Sequence, residues 1–215
     1  MNEVETALRK GTTTVGLICA ESAVLAADTR ATAGTLVASK RAQKIFEIEP
    51  HIGLTTAGAV GDTQALVSIL RAEARLYRMR TRGPITVKGL ATLTANVVHG
   101  QRYFPYLVQL MMAGTDKGGP SLYMIDLWGG LSEERMASTG SGSPVAYGLL
   151  ENRYDPEMSQ DDGIDLAVAT LKAALERDSA TGNTIEAAVI DKEGFSKLED
   201  ERVKEALDKV PEQKY

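Results

Sequence analysis

The feature that most constrains the fold is a pair of apolar runs joined by a short turn near the start of the chain. Residues 13–28 read T-T-V-G-L-I-C-A-E-S-A-V-L-A-A-D, with Ala20, Glu21 and Ser22 between the two runs. Two short runs separated by such residues predict a β-hairpin. Because both runs are apolar at consecutive rather than alternating positions, their strands require cover on both faces. We therefore expect this hairpin inside a layered structure.

The order of the remaining predicted elements determines the expected fold class. Strands are predicted over 44–48 and 52–57, and apolar residues at helical spacing predict helices over 62–80 and 86–101. Strands over 107–114, 122–127 and 135–139 precede two more helices, and strands over 184–191 and 194–197 precede a charged helix over 198–210. Segregated runs of strands and helices predict an α+β fold with helices stacked on antiparallel sheets. Because no linker or repeat divides the chain, we expect one domain.

Two serines indicate where the later helices begin. Ser143 and Pro144 predict a helix start, with the serine as N-cap and the proline at the first helical position. Ser159 and Asp162 have the spacing of a capping box, so a second helix is expected directly behind Ser159.

Composition argues against several classes of function. The net charge of −5 argues weakly against nucleic acid as a partner. One cysteine rules out a disulfide framework, and the distant His51 and His99 lack the spacing of a zinc site or a histidine triad. Residues 1–10 lack the apolar segment of a secretory signal, and no apolar run approaches the ~20 residues of a membrane span. We therefore expect a cytoplasmic protein without metal, cofactor or membrane contact.

The Gly11–Thr12 junction offers a nucleophile that needs no histidine or cysteine. A threonine at a chain terminus supplies both an attacking hydroxyl and, through its own α-amine, a base. An α-amine has a pKa of about 7.7–8.0, so a useful neutral fraction exists near pH 7. This chemistry requires cleavage before Thr12. The simpler interpretation is that Thr12 merely begins a β-strand.

Other candidate residues are weak signals when each is taken alone. A lysine held charged by an aspartate would keep a nearby amine neutral, and Asp28 and Lys44 could form that pair, although an ordinary strand-end ion pair is the simpler interpretation. Gly58 could aim a backbone N–H at an oxyanion, or simply form a turn. Ser141 lies in a G-S-G-S turn, and Asp178 ends a predicted helix where a solvated carboxylate is ordinary.

Taken in order, these stretches resemble the archaeal or bacterial-type β subunits of the proteasome, which are N-terminal nucleophile hydrolases. The resemblance extends from about Thr12 to near residue 200. The matching stretches are G-T-T-T-V-G at 11–16, A-A-D-T-R-A-T at 26–32, K-I-F at 44–46, A-G-A-V-G-D at 57–62, G-S-G-S-P-V-A-Y-G-L-L-E at 140–151 and E-R-D-S-A-T-G-N at 176–183.

The resemblance implies a fold and a set of site residues. The fold would be a four-layer αββα sandwich, with two antiparallel sheets between helix layers. The family usually has Ser-Gly-Gly where this chain has Thr181, Gly182 and Asn183, and threonine keeps the hydroxyl. The implied catalytic residues are Thr12, Asp28, Lys44, Gly58, Ser141, Asp178 and Thr181. The implied substrate-binding residues are Thr32 and Gly58 through their backbone, and Ala31, Ala42, Thr56 and Val60 around an apolar side-chain pocket.

The resemblance also implies processing and assembly. Autolysis between Gly11 and Thr12 would remove residues 1–11 and leave 12–215 as one catalytic domain. That domain would be a threonine-type endopeptidase acting on unfolded polypeptide, in seven-membered β rings stacked on α rings that a regulatory ATPase contacts. Three alternatives stay open at this point: a noncatalytic ring subunit, the simpler bacterial two-ring protease, and an N-terminal nucleophile amidase acting on small molecules.

Overall fold

The chain forms two five-stranded antiparallel sheets and a separate two-stranded hairpin. A computed structural model describes residues 11–34 and 36–211, so the predicted leader lies outside the described residues except for Gly11. The strands are β1 (Thr13–Ile18), β2 (Ala23–Asp28), β3 (Ala31–Ala33), β4 (Leu36–Ser39), β5 (Ile45–Glu49), β6 (Ile52–Gly58), β7 (Val108–Asp116), β8 (Gly119–Ile125), β9 (Leu131–Glu134), β10 (Met136–Gly140), β11 (Ile185–Asp191) and β12 (Gly194–Lys197). The first sheet has the order β10-β1-β2-β11-β12, and the second has the order β5-β6-β7-β8-β9.

Helices cover the outer face of each sheet. The helices of the described residues are α1 (Val60–Thr81), α2 (Val87–Gly100), α3 (Ser143–Arg153), α4 (Gln160–Arg177) and α5 (Asp200–Asp208). The first two pack on the second sheet, whereas α3 and α4 pack on the first sheet and α5 packs against α4 and β11. The predicted four-layer αββα sandwich is therefore confirmed.

The hairpin β1–β2 occupies the interior that its sequence predicts. Each β2 residue is buried, and one face of the strand packs towards α4 while the other packs towards the second sheet. Val24 and Ala26 belong to the helix-side core, and Leu25 and Ala27 belong to the core between the sheets. Continuous apolar sequence, rather than alternation, is what such two-sided burial requires.

The helix starts agree with the sequence in two cases and differ in a third. Thr86 caps α2 by accepting from the Gly89 N–H, and Ser159 caps α4 by accepting from the Asp162 N–H. The prediction that Ser143 caps α3 is wrong by one position, because Gly142 is the N-cap and Ser143 is already helical. The proline still lies in the first turn, where its missing N–H removes no helical bond.

The sequence prediction missed three short strands. Half-buried and exposed residues form β3, mostly exposed residues form β4, and the two strands pair with each other as a separate two-stranded sheet. The third missed strand, β9, is an exposed edge strand. These segments lack the apolar runs that reveal buried strands. Among the described residues, no helix is long and apolar enough to cross a membrane.

Candidate active site

Thr12 lies immediately before β1, in a cleft that the hairpin β3–β4, strands β5 and β6 and the start of α1 also line. The residue is 4% exposed. Its hydroxyl donates to the carbonyl oxygen of Gly11 at 2.6 Å, and its backbone N–H points to the Ser141 hydroxyl at 3.4 Å. The nitrogen of Thr12 is an amide in this uncut chain. The nucleophile that the sequence predicts is therefore already beside the carbonyl of the bond that would be cut.

Asp28 joins the start of β1 to Lys44. Its carboxylate is fully buried at the end of β2 and accepts four hydrogen bonds. One oxygen accepts from the Lys44 ammonium at 2.6 Å and the Thr13 N–H at 2.9 Å. The other accepts from the backbone N–H groups of Arg30 at 3.1 Å and Gly182 at 2.9 Å. Four donors offset the cost of burying the charge and fix the carboxylate in place.

Lys44 brings a buried cation to the wall of the cleft. Burial lowers the pKa of its ammonium below the ordinary lysine value, and the neighbouring Asp28 charge opposes that shift. Lys44 and Thr12 line the same cavity. A buried cation favours the neutral form of nearby amines and the ionised form of nearby hydroxyls.

A second network of hydroxyl groups surrounds Asp178, which follows α4. One Asp178 oxygen accepts from the Ser141 and Thr181 hydroxyls, each at 2.5 Å. The Thr181 hydroxyl also contacts the hydroxyl of Thr13 at 2.6 Å. Because Ser141 is also within 3.4 Å of the Thr12 nitrogen, this network connects Asp178 to the place where a free α-amine would form.

Gly58 ends β6 with a backbone that only glycine adopts readily. Its φ is +144°, and a Cβ atom would lie 2.1 Å from the Leu107 carbonyl oxygen. Gly58 lies opposite Val108 where β6 pairs with β7. The backbone hydrogen bond to the other chain segment is donated by the next residue, from the Ala59 N–H to the Leu107 carbonyl oxygen. Successive N–H groups of a strand point to opposite sides, so the Gly58 N–H points away from β7 and towards the cleft.

The cleft contains a cavity of about 590 Å³ beside Thr12. Its size suits several side chains of a peptide. The Thr32 hydroxyl accepts from the Gly11 N–H at 3.2 Å, so the last leader residue occupies one end of the cavity. The lining includes all six residues predicted to bind substrate: Ala31, Thr32, Ala42, Thr56, Gly58 and Val60.

Comparison with known proteins places the sequence in a family. The family model described as "Proteasome subunit" matches residues 8–190. The chain belongs to the proteasome subunit family. Similar relatives are named "Proteasome subunit beta". One from Methanococcoides burtonii is 49% identical over 90% of this chain and 93% of its own length. One from Archaeoglobus profundus is 49% identical over 96% of this chain and 97% of its own length. One from Methanocaldococcus vulcanius is 50% identical over 92% of this chain and 90% of its own length. The resemblance to archaeal proteasome β subunits is therefore confirmed.

The departure from the usual family pattern at 181–183 has a structural counterpart in this proteasome family member. Asn183 adopts a left-handed φ of +72°, a region that asparagine tolerates better than most residues. Its side-chain oxygen accepts from Arg30 Nε at 2.9 Å, and Arg30 also donates to the Ser179 carbonyl at 3.0 Å. Arg30 thereby holds the 179–183 loop, and with it Thr181, against the end of β2.

Sequence reasoning missed four groups at this site. The backbone N–H of Gly182 and the hydroxyl of Thr13 join the two networks, and Arg30 braces the loop, but nothing in their sequence context separates them from ordinary loop and strand residues. Glu186 is the fourth. Its sequence setting, a single charge within I-E-A-A-V-I, does stand out, because a charged residue inside a buried strand requires a partner.

Proposed function

We propose that this chain is the catalytic β subunit of a 20S proteasome core particle and a threonine-type endopeptidase that degrades unfolded proteins to short peptides. The observation that carries the proposal is the hydroxyl of Thr12, which lies 2.6 Å from the Gly11 carbonyl oxygen. Family membership and similarity to archaeal β subunits support it. The buried Asp28–Lys44 pair beside Thr12 supports an active rather than a purely architectural subunit.

Maturation begins with attack of the Thr12 hydroxyl oxygen on the Gly11 carbonyl carbon. The peptide C–N bond breaks as the new ester C–O bond forms, and the proton lost by the hydroxyl passes to the nitrogen, which becomes the free α-amine of Thr12. Water then hydrolyses the ester and releases residues 1–11. Gly11 suits this step because a Cβ atom there would lie 2.2 Å from the Ala180 carbonyl oxygen. Residues 12–215 then form the single catalytic domain.

Peptide hydrolysis uses the same hydroxyl with the new amine as base. The Thr12 oxygen attacks a substrate carbonyl, and the hydroxyl proton passes to the α-amine. The Gly58 N–H stabilises the oxyanion, and the amine returns the proton to the departing peptide nitrogen. Water then cleaves the acyl ester. The Lys44 cation favours the neutral amine, while Ser141, Asp178 and Thr181 hold the amine and the water in position.

The cleft favours extended peptides with an apolar side chain before the cut. Backbone groups of Thr32 and Gly58 would pair with the substrate as an added strand. Ala31, Ala42, Thr56 and Val60 line the side-chain pocket without an acidic group. We expect reporters ending in Leu or Tyr to be cleaved faster than reporters ending in Lys or Arg. Faster cleavage of the basic reporters would contradict this specificity.

Assembly and location follow from family membership as proposals. The subunit would form seven-membered β rings stacked on α rings in the cytoplasm, with a regulatory ATPase acting through the α ring. Enclosure in such a particle, together with the leader, would keep the nucleophile away from folded cell proteins until assembly.

The decisive experiment is intact mass spectrometry of assembled particles after reaction with a peptide epoxyketone. The expected product lacks residues 1–11 and carries one probe, in a ring that includes both the amine and the oxygen of Thr12. The matched Thr12→Ala variant should keep its leader, bind no probe and cleave no peptide. Leader removal in Thr12→Ala by the purified lone subunit would contradict autolysis. Assembled wild-type particles without adduct or peptidase activity would instead indicate a noncatalytic ring subunit.

A further inference from the structure

We propose that Glu186 is a positioning residue that holds the backbone of Lys44 in place for catalysis. This inference rests on the proposed function of the cleft. Glu186 lies on β11 in the first sheet, whereas Lys44 immediately precedes β5 in the second. Its carboxylate is 8% exposed and is directed between the sheets, on the same face of β11 as Ala188 and Ile190. The residue therefore connects the two sheets at the point where the lysine enters the site.

The connection is made through the backbone of Lys44 rather than through its side chain. One Glu186 oxygen accepts from two consecutive N–H groups, Lys44 at 2.7 Å and Ile45 at 3.1 Å. The Lys44 carbonyl accepts from the Thr56 N–H at 3.0 Å. The backbone of Lys44 is thus fixed from both sheets. Two donors on one carboxylate oxygen restrict the peptide plane from which the lysine side chain extends.

The second Glu186 oxygen faces a different environment. It accepts from the Lys197 ammonium at 2.8 Å, and the Lys197 side chain is 56% exposed. Glu186 and Lys197 line a cavity of about 790 Å³, which shares Ala42 and Gln43 with the cleft beside Thr12. The 42–43 segment therefore separates the two cavities. Glu186 holds the residues directly after this segment, and it does so from the cavity that does not contain Thr12.

The charges around Lys44 alternate in sign. Asp28 on β2 faces its ammonium, Glu186 on β11 faces its backbone, and the Glu186 charge is in turn paired with Lys197 on β12. Burial has the largest effect on the pKa of Lys44 and lowers it, whereas the charges of Asp28 and Glu186 raise it and the Arg30 charge lowers it slightly. Removal of the Glu186 charge should therefore lower the pKa of Lys44 further. Since the proposed mechanism needs the lysine cation, activity should then be lost at a lower pH.

The test compares Glu186→Ala, Glu186→Gln and the control Lys197→Met in assembled, leader-free particles, by pH profiles of peptide hydrolysis. In Glu186→Ala we expect kcat to fall by about tenfold with KM changed by less than about twofold, because the lysine is displaced but the substrate cavity is not. Glutamine keeps an acceptor for both N–H groups, so Glu186→Gln should recover most of kcat near pH 7. Its alkaline limit of kcat/KM should move to lower pH by about half a unit.

The control separates the backbone contact from the surface ion pair. Lys197→Met leaves both backbone contacts and the Glu186 charge intact, so its alkaline limit should stay in place or move to higher pH. Folded Glu186→Ala particles with unchanged kcat would overturn the proposal. It would also be overturned if the alkaline limit of kcat/KM did not move in Glu186→Gln, or if that limit moved to lower pH by the same amount in Lys197→Met. Failure of wild-type particles to react with the epoxyketone at Thr12 would instead overturn the proposed function.

Discussion

The two ends of the hairpin β1–β2 each hold a potential nucleophile in a different environment. Thr12 lies at one end, among the side chains of Lys44, Ser141 and Asp28 and the edge of a cavity. Cys19 lies at the other end, where it is 1% exposed and belongs to the apolar core under α4. The thiol is intrinsically the stronger nucleophile, yet its surroundings are those of a structural residue.

The environments of the two ends differ in the direction opposite to the intrinsic nucleophilicity of their residues. Burial raises the pKa of the Cys19 thiol to about 11, and the nearby Asp162 charge adds to this effect while the Ser22 hydroxyl opposes it. Reactive thiolates occur in electropositive, accessible settings, and this end of the hairpin is neither. At the Thr12 end, charge and hydroxyl networks surround a group that is inert in ordinary proteins. The neighbours that the fold supplies therefore distinguish a buried structural thiol from a candidate nucleophile.

The largest contrast is expected between alanine substitutions at the two ends. Thr12→Ala should lower peptidase activity by about three orders of magnitude or more, because the nucleophile is lost. Cys19→Ala should leave kcat within about twofold and lower the free energy of unfolding by about 1 kcal/mol through a small core cavity. Peptide hydrolysis and chemical denaturation of assembled particles measure both. Equal loss of activity in the two variants would show that the comparison is wrong.

The next largest effect should come from removal of the cation beside Thr12. Lys44→Met should lower kcat by about two to four orders of magnitude, because the cation that keeps the amine neutral is absent. It should also lower the free energy of unfolding by about 3–5 kcal/mol, since Asp28 is left as an unpaired buried charge.

The double variant Asp28→Asn with Lys44→Met separates the two effects of that substitution. It should recover much of the stability, because no buried charge is unpaired, but none of the activity. Lys40→Met is the matched control, because Lys40 is exposed on the same segment, and its activity should equal that of the wild type. Recovery of activity in the double variant would contradict a role for the cation.

A smaller effect is expected at Asp178. Asp178→Asn should lower kcat by about tenfold to a hundredfold, because the Ser141 and Thr181 hydroxyls lose the carboxylate that orients them. Asp191→Asn is a suitable control, since Asp191 accepts backbone N–H bonds in the β11–β12 turn, away from the cleft. Unchanged hydrolysis rates in Asp178→Asn would remove this network from the mechanism.

The smallest effect is expected for Cys19, which should hardly react with iodoacetamide in the native protein. A pKa raised to about 11 lowers the thiolate fraction near pH 8 by about a hundredfold relative to an ordinary thiol, before steric protection is counted. Labelling followed by mass spectrometry should find Cys19 unmodified until denaturant is added. Rapid native labelling would mean that this end of the hairpin is open and polar.

The sequence predicted the buried hairpin, the layers and the residues of the cleft for different reasons. Consecutive apolar residues in β1 and β2 indicate cover on both faces from local pattern alone. By contrast, Asp28 and Lys44 are separated by 16 positions, and their pairing was expected through resemblance to a family rather than from spacing. The resemblance contributed most where long-range contacts, which a local pattern does not encode, decide the geometry.

The parts that sequence reasoning missed share physical causes. None of the strands β3, β4 and β9 contains a fully buried residue, and each is held by pairing with a neighbouring strand rather than by an apolar face, so their own residues give little signal. The N-cap of α3 is Gly142 rather than the predicted Ser143, because the helix begins one residue earlier than expected. Glu186 acts on backbone N–H groups 141 and 142 positions away, and backbone groups leave no trace in a sequence.

The hydrogen bond from the Thr13 N–H to Asp28 has a consequence for the chain end that cleavage would create. This anchor lies one residue beyond the Gly11–Thr12 bond, and Thr13 also pairs with Gly140 in the first sheet. Cleavage would therefore free the backbone of a single residue. Ordering that residue around a substrate costs roughly 1–2 kcal/mol of conformational entropy, far less than for a flexible terminus several residues long. The new terminus would be chemically free and conformationally almost fixed, which is what makes a chain end usable as a catalytic group.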